Sequence, residues 1–341
     1  MNSAPKPLPL GKLPPAWLAQ ILQRLARPEA SVRLGPGVGR DCAVLDISAG
    51  LCLVAKSDPI TFATDEIGWY AVHVNANDVA TTGATPRWFL ATVLLPQTLE
   101  PSAVDAIADQ LRAACDEIDV TLVGGHTEVT YDLNRPIVMG TLLGAVTPDR
   151  LVRPDGACPG DMIVLTKRLA VEATSIIARE KTTELRGVFD AAFLRRCRDF
   201  LHQPGISVLR DAQIAVDAGG VHAMHDPTEG GLATALWELA QAAQMDMTID
   251  VAAVPLYGET RQLCAHYGLD PWGVIASGAL LLAVEPAHTH PVLDAFRREQ
   301  IEATVIGRVI ERSDRPIVLG QYADGVRPLL PFEQDEITRL F

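Results

Sequence analysis

"HVNANDVATTGATP", residues 73–86, is the stretch from which the rest of the chain is read. Val72, Val74, Ala76, Val79 and Ala80 recur as on a helix with a buried face. Yet Asn75, Asn77 and Asp78 interrupt that face, and Asn and Asp are poor helix formers whose side chains compete for backbone hydrogen bonds. Something has to satisfy them. Asn75 and Asp78, three apart, are neighbours on one side of the helix, with Thr82 one turn beyond Asp78. Such a polar stripe is expected to point into a metal or nucleotide cleft. The competing reading is a solvated helix face, which Lys and Glu would mark better than Val and Ala. Gly83 and Pro86 are expected to end the helix.

Outward from this helix the pattern alternates. Upstream, "PPAWLAQILQRLAR" predicts a first helix to about Arg27, and "CAVLDI" and "LCLVAKS" predict strands. Downstream, "RWFLATVLL" reads as a strand, "PSAVDAIADQLRAACDEI" as a helix, and "VTLVG" and "PIVMGTLLGAV" as strands. "TPDRLVRPDGACPGD", residues 147–161, is rich in Pro, Gly and Asp and marks the domain junction, giving domains 1–150 (leader 1–13) and 158–341. The second domain repeats the mixture: "MIVLT" and "HAMHD" as strands, "EGGLATALWELAQAA" as a helix, then "ASGALLLAV", "ATVIGRVI" and "PIVLG" as strands.

Bulk composition narrows the partners. The 341 residues are 48% hydrophobic, enough for two filled cores. Forty-two acidic residues against 29 basic give a net charge of -13, which disfavours nucleic acid, because that partner needs clustered Lys and Arg. A bound phosphate must then be met by backbone NH groups or a metal. No run of about 18 apolar residues proposes a membrane span and the Pro-rich start lacks a signal-peptide core, so a soluble, cytoplasmic protein is expected. Six scattered cysteines without a C-x-x-C pair predict buried thiols, with neither disulfide nor zinc.

Three acidic positions stand beside glycines or at element edges. In "GPGVGRDCAV", Gly35, Gly37 and Gly39 precede Asp41: the glycines permit close approach to a phosphate and the carboxylate could hold a divalent cation, although a Gly-rich turn is often only a turn. Asp78 is the second. The third is Asp226 in "MHDPTEGGLATAL", where a strand runs into a helix N-terminus that favours an anion; an Asp or Thr cap is the plain alternative. Three carboxylates of this kind suggest Mg²⁺, which takes oxygen ligands and bridges to phosphates. Asp58 in "AKSDPITF" and Gly124, Gly125, His126 and Glu128 in "LVGGHTEVT" are expected in loops that line the same cleft. His288 and His290 read as surface histidines.

In this order the segments resemble the superfamily of aminoimidazole ribonucleotide synthetase (PurM), selenophosphate synthetase, thiamine-monophosphate kinase and the hydrogenase maturation factor HypE. "GRDCAVL", "SDPI", "NANDVATTGATP", "GGHTEV" and "HDPTEGGLATALWELA" are similar to its five ordered motifs, and the last is close to the HypE branch. The resemblance implies an α+β, two-domain PurM-like fold: an N-terminal α/β domain whose mixed sheet forms a barrel in a homodimer, and a C-terminal α+β domain. It also implies Mg-ATP in the interdomain cleft. Asp41, Asp78 and Asp226 would ligate magnesium. Gly37, Gly39, Arg40, Asp58, Asn75, Gly124, Gly125 and Thr228 would meet the nucleotide, and His126, Glu128 and His225 are candidates for catalysis.

The family's shared chemistry is attack of an oxygen on the γ-phosphate of ATP. In the PurM and HypE branches that oxygen belongs to an amide, so an ATP-dependent enzyme acting on an amide-like acceptor is the leading expectation. Two alternatives are a small-molecule kinase of the thiamine-monophosphate type and a non-catalytic ATP-binding assembly protein. Arg40 replaces the first Asp of the family's Gly-Asp-Asp segment, putting one acidic contact in doubt. The chain ends "DEITRLF", with its last cysteine at Cys264, so carbamoyl dehydration on a HypE-type cysteine tail is not expected; with no cysteine before Cys42, neither is selenophosphate synthesis.

Overall fold

A computed structural model describes residues 18–22, 29–48, 50–61, 63 and 65–341. Residues 18–22 are helical, and the rest of the expected first helix lies outside the described residues. The first half forms a six-stranded sheet from β1 (Val32–Leu34), β2 (Ala43–Ser48), β3 (Leu51–Ile60), β4 (Thr85–Pro96), β5 (Thr121–Thr130) and β6 (Ile137–Val146), ordered β1-β2-β3-β6-β4-β5. All pairs are antiparallel except β4 with β5, which are joined through a helix, as a parallel pair requires.

Besides residues 18–22, two helices lie among the described residues of this half, α1 (Ile67–Ala80) packing on β3 and β6, and α2 (Pro101–Glu117) packing on α1. Every residue of α1 except Val74 is buried, so this helix is enclosed rather than half-solvated. Its polar residues are therefore answered from within. Asn75 Nδ2 donates to the Ala71 carbonyl at 2.8 Å while its Oδ1 accepts from Asp58 N at 2.9 Å, tying α1 to β3. Asn77 Nδ2 donates to the Ile206 carbonyl and its Oδ1 accepts from Val208 N, both at 2.8 Å, tying α1 to the second half. Thr82 Oγ1 donates to the Val79 carbonyl at 2.7 Å. Of the expected stripe, only Asp78 is left to face a cleft.

Three expectations are corrected. Pro86 does not end the helix: α1 stops at Ala80, and Pro86 is the second residue of β4. Asp58 is inside β3, not in a loop after it. Residues 124–128 are likewise not a loop; they continue β5, an edge strand exposed on both faces from Thr121 to Val129. Gly125 takes φ +147 inside this strand, which pairs with β4 through one bulge.

The second half holds seven strands, β7 (Met162–Thr166), β8 (Val221–His225), β9 (Met245–Asp250), β10 (Leu281–Val284), β11 (Ala303–Arg312), β12 (Val318–Tyr322) and β13 (Gly325–Pro328), ordered β13-β12-β9-β11-β7-β10-β8. The strand expected from Ala276 is shorter and begins at Leu281. Around the sheet lie α3 (Val171–Glu180), α4 (Ala191–Asp199), α5 (Leu209–Ala218), α6 (Gly231–Ala243), α7 (Gly258–Tyr267) and α8 (Thr289–Arg298). Strand alternation explains the apolar runs. Ile163, Leu165, Leu281 and Ala283 join one core cluster, while Val164, Leu282 and Val284 join a second with Phe296 of α8, so both faces of the central strands are covered.

The first of these clusters continues from Leu34 to Ile337, through both halves. Polar ties reinforce the contact: Arg179 of α3 pairs with Asp65 and Glu66, and His202 lies 2.9 Å from Glu66 and edge-on to Trp69. No described helix is long and apolar enough to cross a membrane.

Candidate active site

Carboxylates from both halves converge beneath this contact. Asp41 comes from the segment before β2, Asp58 from β3, Asp78 from α1, Asp226 from the end of β8 and Glu238 from α6. Two buried cations stand among them. Lys56 Nζ is 2.9 Å from Asp78 Oδ2 and 3.2 Å from Asp58 Oδ2, and the Asp78 contact is an ion pair whose oxygen lies off the hydrogen-bonding direction. His225 is held at both ring nitrogens, Nδ1 at 3.1 Å from Asp41 Oδ2 and Nε2 at 3.0 Å from Glu238 Oε2.

The electrostatics follow from burial and crowding. Burial, helped by Asp226, Asp41 and Asp58, pushes the Asp78 carboxyl well up, against the pull of Lys56. Burial and Asp41 raise Asp226 to about 6. Burial opposes charge on His225, but Asp41 and Glu238 outweigh it and hold the imidazolium well above its usual range. Lys56 is likewise raised, burial being overcome by Asp78, Asp41 and Asp58. Acids outnumber cations here, so a further positive charge is favoured.

That charge has donors waiting. Both Asp226 oxygens are buried with no hydrogen-bond partner, which is costly unless something else satisfies them. Ligand atoms of Asp41, His225 and Asp226 all lie within 4.8 Å of one another. Carboxylate oxygens suit Mg²⁺, and the His225 nitrogens are already engaged.

Two clefts flank the cluster. One, of about 140 Å³, runs between Gly37–Asp41 and α6, with Phe332 and Asp335 at its far wall. The other, of about 60 Å³, lies between Asp58–Thr61 and Glu172, Thr228 and Ser277, and the two share Glu229. Gly39, at φ +72, presses the first segment onto α6, and a Cβ there would lie 2.5 Å from the Glu238 carbonyl oxygen. Gly39→Ala is therefore expected to cost about 2 kcal/mol, read by urea unfolding. Wild-type stability in this variant would show that the close approach is dispensable.

The structure gathers some expected residues and separates others. Asp41, Asp58, Asp78, Asp226 and His225 meet, and Gly37, Gly39, Arg40 and Thr228 line the adjoining clefts. Asn75 is engaged by backbone groups. The α6 N-terminus, expected to attract an anion, already has one: Gly230 N donates to Asp335 Oδ2 at 2.7 Å. Gly125 lies in register with Ala91, Gly140 and Asp58 across four strands, so it is roughly 14 Å from Asp58 in the same chain, and Glu128, three residues further along β5, lies beyond that register. His126 and Glu128 instead pair with each other at 2.9 Å on the exposed edge.

Residues 39–146 match the N-terminal domain, and residues 158–319 the C-terminal domain, of AIR synthase related protein. The chain belongs to the AIR synthase related family. This AIR synthase related enzyme is 30% identical over 311 residues to the carbamoyl dehydratase HypE of Cupriavidus necator, spanning 89% of this chain and 86% of that one. Among solved structures it resembles the hydrogenase maturation protein HypE in complex with ATP, at 27% identity and a TM-score of 0.71, covering 88% of this chain and 91% of that chain. AaThiL complexed with AMPPCP and TMP, 22% identical with a TM-score of 0.70 over 89% of this chain and 92% of that chain, shares the fold. The two-domain PurM-like architecture expected from the motifs is thus the one this enzyme adopts.

Sequence reasoning missed Lys56, Glu238 and Glu172. Lys56 had a signal, since it precedes Asp58 by two and so shares its side of the strand. Glu238 and Glu172 had none, because only the packing of α6 and α3 brings them to the clefts.

Proposed function

We propose that the enzyme binds Mg-ATP between its halves and transfers the γ-phosphate to an amide-like oxygen of an acceptor, as a HypE-like protein. The observation that carries this reading is the buried carboxylate cluster drawn from both halves, with both Asp226 oxygens lacking hydrogen-bond partners. The ATP complex of the HypE relative supports it. Asp41, Asp78 and Asp226 would hold Mg²⁺, which when bound neutralises charge on the transferred phosphoryl group. Backbone NH groups of Gly37 to Gly39 and the Arg40 guanidinium flank the phosphates from the first cleft. Lys56 fixes Asp58 and Asp78 as a rigid pair.

His225 acts here as a positioning cation and not as a base. With a carboxylate on each ring nitrogen it has no lone pair to offer, and it orients Asp41. A second copy of the chain covers the exposed β5 edge, with Leu122, Val123 and Val129, since an open edge of this kind otherwise pairs indiscriminately. In that homodimer His126 and Glu128 lie at the interface.

Calorimetry of the wild type with ATP, with and without Mg²⁺, tests the reading while the same samples are followed for ADP. Magnesium-dependent binding with ADP release is expected. A stable phosphorylated acceptor would move the assignment to a kinase, and binding without turnover to a non-catalytic ATP-binding protein. Absence of binding would remove ATP altogether.

A further inference from the structure

A second, chemically different cluster lies where the junction segment enters the second half. Ligand atoms of Cys158, Asp161 and His222 all lie within 4.8 Å of one another. Asp161 is buried at the centre: His222 Nδ1 is 3.0 Å from its Oδ1 and 2.9 Å from its Oδ2, and Cys158 N donates to Oδ2 at 2.8 Å. Cys158 Sγ is exposed and donates to the Gly156 carbonyl at 3.4 Å.

The frame around these side chains is rigid. Asp161 N donates to the Cys158 carbonyl, closing a turn, and Gly160 N and the Asp161 carbonyl both bond to Val309 of β11, at 3.0 and 2.8 Å. His222 comes from β8, against which Gly156 is pressed so closely that a Cβ there would lie 2.1 Å from the His222 carbonyl oxygen. Three donors from two elements are thereby fixed at one place, with the thiol towards solvent.

We propose that Cys158, Asp161 and His222 form a binding site for a borderline-soft divalent cation, zinc, with a fourth position open to water. Thiolate, imidazole and carboxylate are the donors that Zn²⁺ takes, and three protein ligands with one open position is a recurrent arrangement. Mg²⁺ is excluded by the sulfur. Zinc–ligand distances near 2.0–2.3 Å in a tetrahedron place nitrogen and oxygen about 3.3 Å apart and sulfur about 3.6 Å from either. The histidine and carboxylate are nearly there, and the Cys158 sulfur, within 4.8 Å of both, is an exposed side chain that rotation can bring to the remaining position. Binding replaces the His222–Asp161 hydrogen bond with two metal bonds, and the Cys158 thiol gives its proton to solvent, so affinity rises with pH.

Cobalt(II), a spectroscopic stand-in for zinc, tests this without reference to ATP. One equivalent added to the full chain in a non-chelating buffer is expected to give a sulfur-to-cobalt charge-transfer band, lost on adding Zn²⁺. Cys158→Ser and His222→Gln are expected to abolish it while leaving the far-ultraviolet circular dichroism unchanged. Zn²⁺ should also raise the melting temperature of the wild type but not of Cys158→Ser. The acidic cluster has its own thiol nearby, Cys42, whose Sγ donates to the Asp78 carbonyl at 3.2 Å. A band that survives in Cys158→Ser would place the cobalt there and overturn the proposal, as would no band in the wild type. Because Asp41, Asp78 and Asp226 are untouched in these variants, failure here leaves the ATP reading standing.

Discussion

Asp78→Asn is expected to weaken magnesium-dependent ATP binding by at least about 100-fold and to reduce ADP release to background, because it removes one of three carboxylates that would hold the cation. The amide has nearly the same shape, but it also takes from buried Lys56 its partner at 2.9 Å, leaving that cation to Asp58 alone. The melting temperature without nucleotide is therefore expected to fall, and binding is compared at a temperature where both proteins are folded. Asp46→Asn is the matched control, since Asp46 pairs with Arg33 at the surface, where solvent screens an ion pair. Binding by Asp78→Asn equal to that of the control would sink the assignment of the cleft, whatever the wild type does.

Glu172→Gln is expected to stabilise the protein at alkaline pH by roughly 3 kcal/mol and to change little at acid pH. Glu172 is buried at the start of α3, with Oε2 lacking a hydrogen-bond partner, and burial raises its carboxyl from the ordinary 4.5 to about 7. Between those values the folded protein keeps a proton that the unfolded chain has lost. Wild-type stability therefore falls as the pH climbs from about 4.5 to about 7 and levels off above that. The span, at about 1.4 kcal/mol for each pH unit, sets the magnitude. Glutamine mimics the protonated acid, so urea unfolding of both proteins should coincide near pH 4 and diverge by pH 8. Parallel curves over that range would show that Glu172 is ionised and satisfied in the folded state.

Much of this was legible in the residues themselves. The strands "CAVLDI", "MIVLT" and "PIVMGTLLGAV" carry clear periods and form within a residue or two, while the helix through Asp78 forms but starts and stops earlier than its apolar pattern suggested. Asp41, Asp78 and Asp226 stood out because charge beside glycine or at an element edge needs a reason, and Asp58 was expected in a loop of the same cleft. What failed, failed for identifiable causes. Residues 124–128 were expected in a loop after the strand "VTLVG", but pairing with β4 carries that strand on to Thr130. The opening polar stripe was read as one feature, whereas its two asparagines answer backbone groups in two different places. Cys158, Asp161 and His222 show no metal-ligand spacing because β8 returns His222 to the junction only in three dimensions.

The Asn77 bridge sets how this enzyme can move. Swinging the two halves apart like a jaw would break both hydrogen bonds of the Asn77 amide, to the Ile206 carbonyl and from Val208 N, at about 1–3 kcal/mol, in addition to the apolar contact of the shared core. Catalytic turnover then proceeds around a fixed spine, and a nucleotide is admitted by small displacements at the rims of the clefts, not by a hinge through the middle.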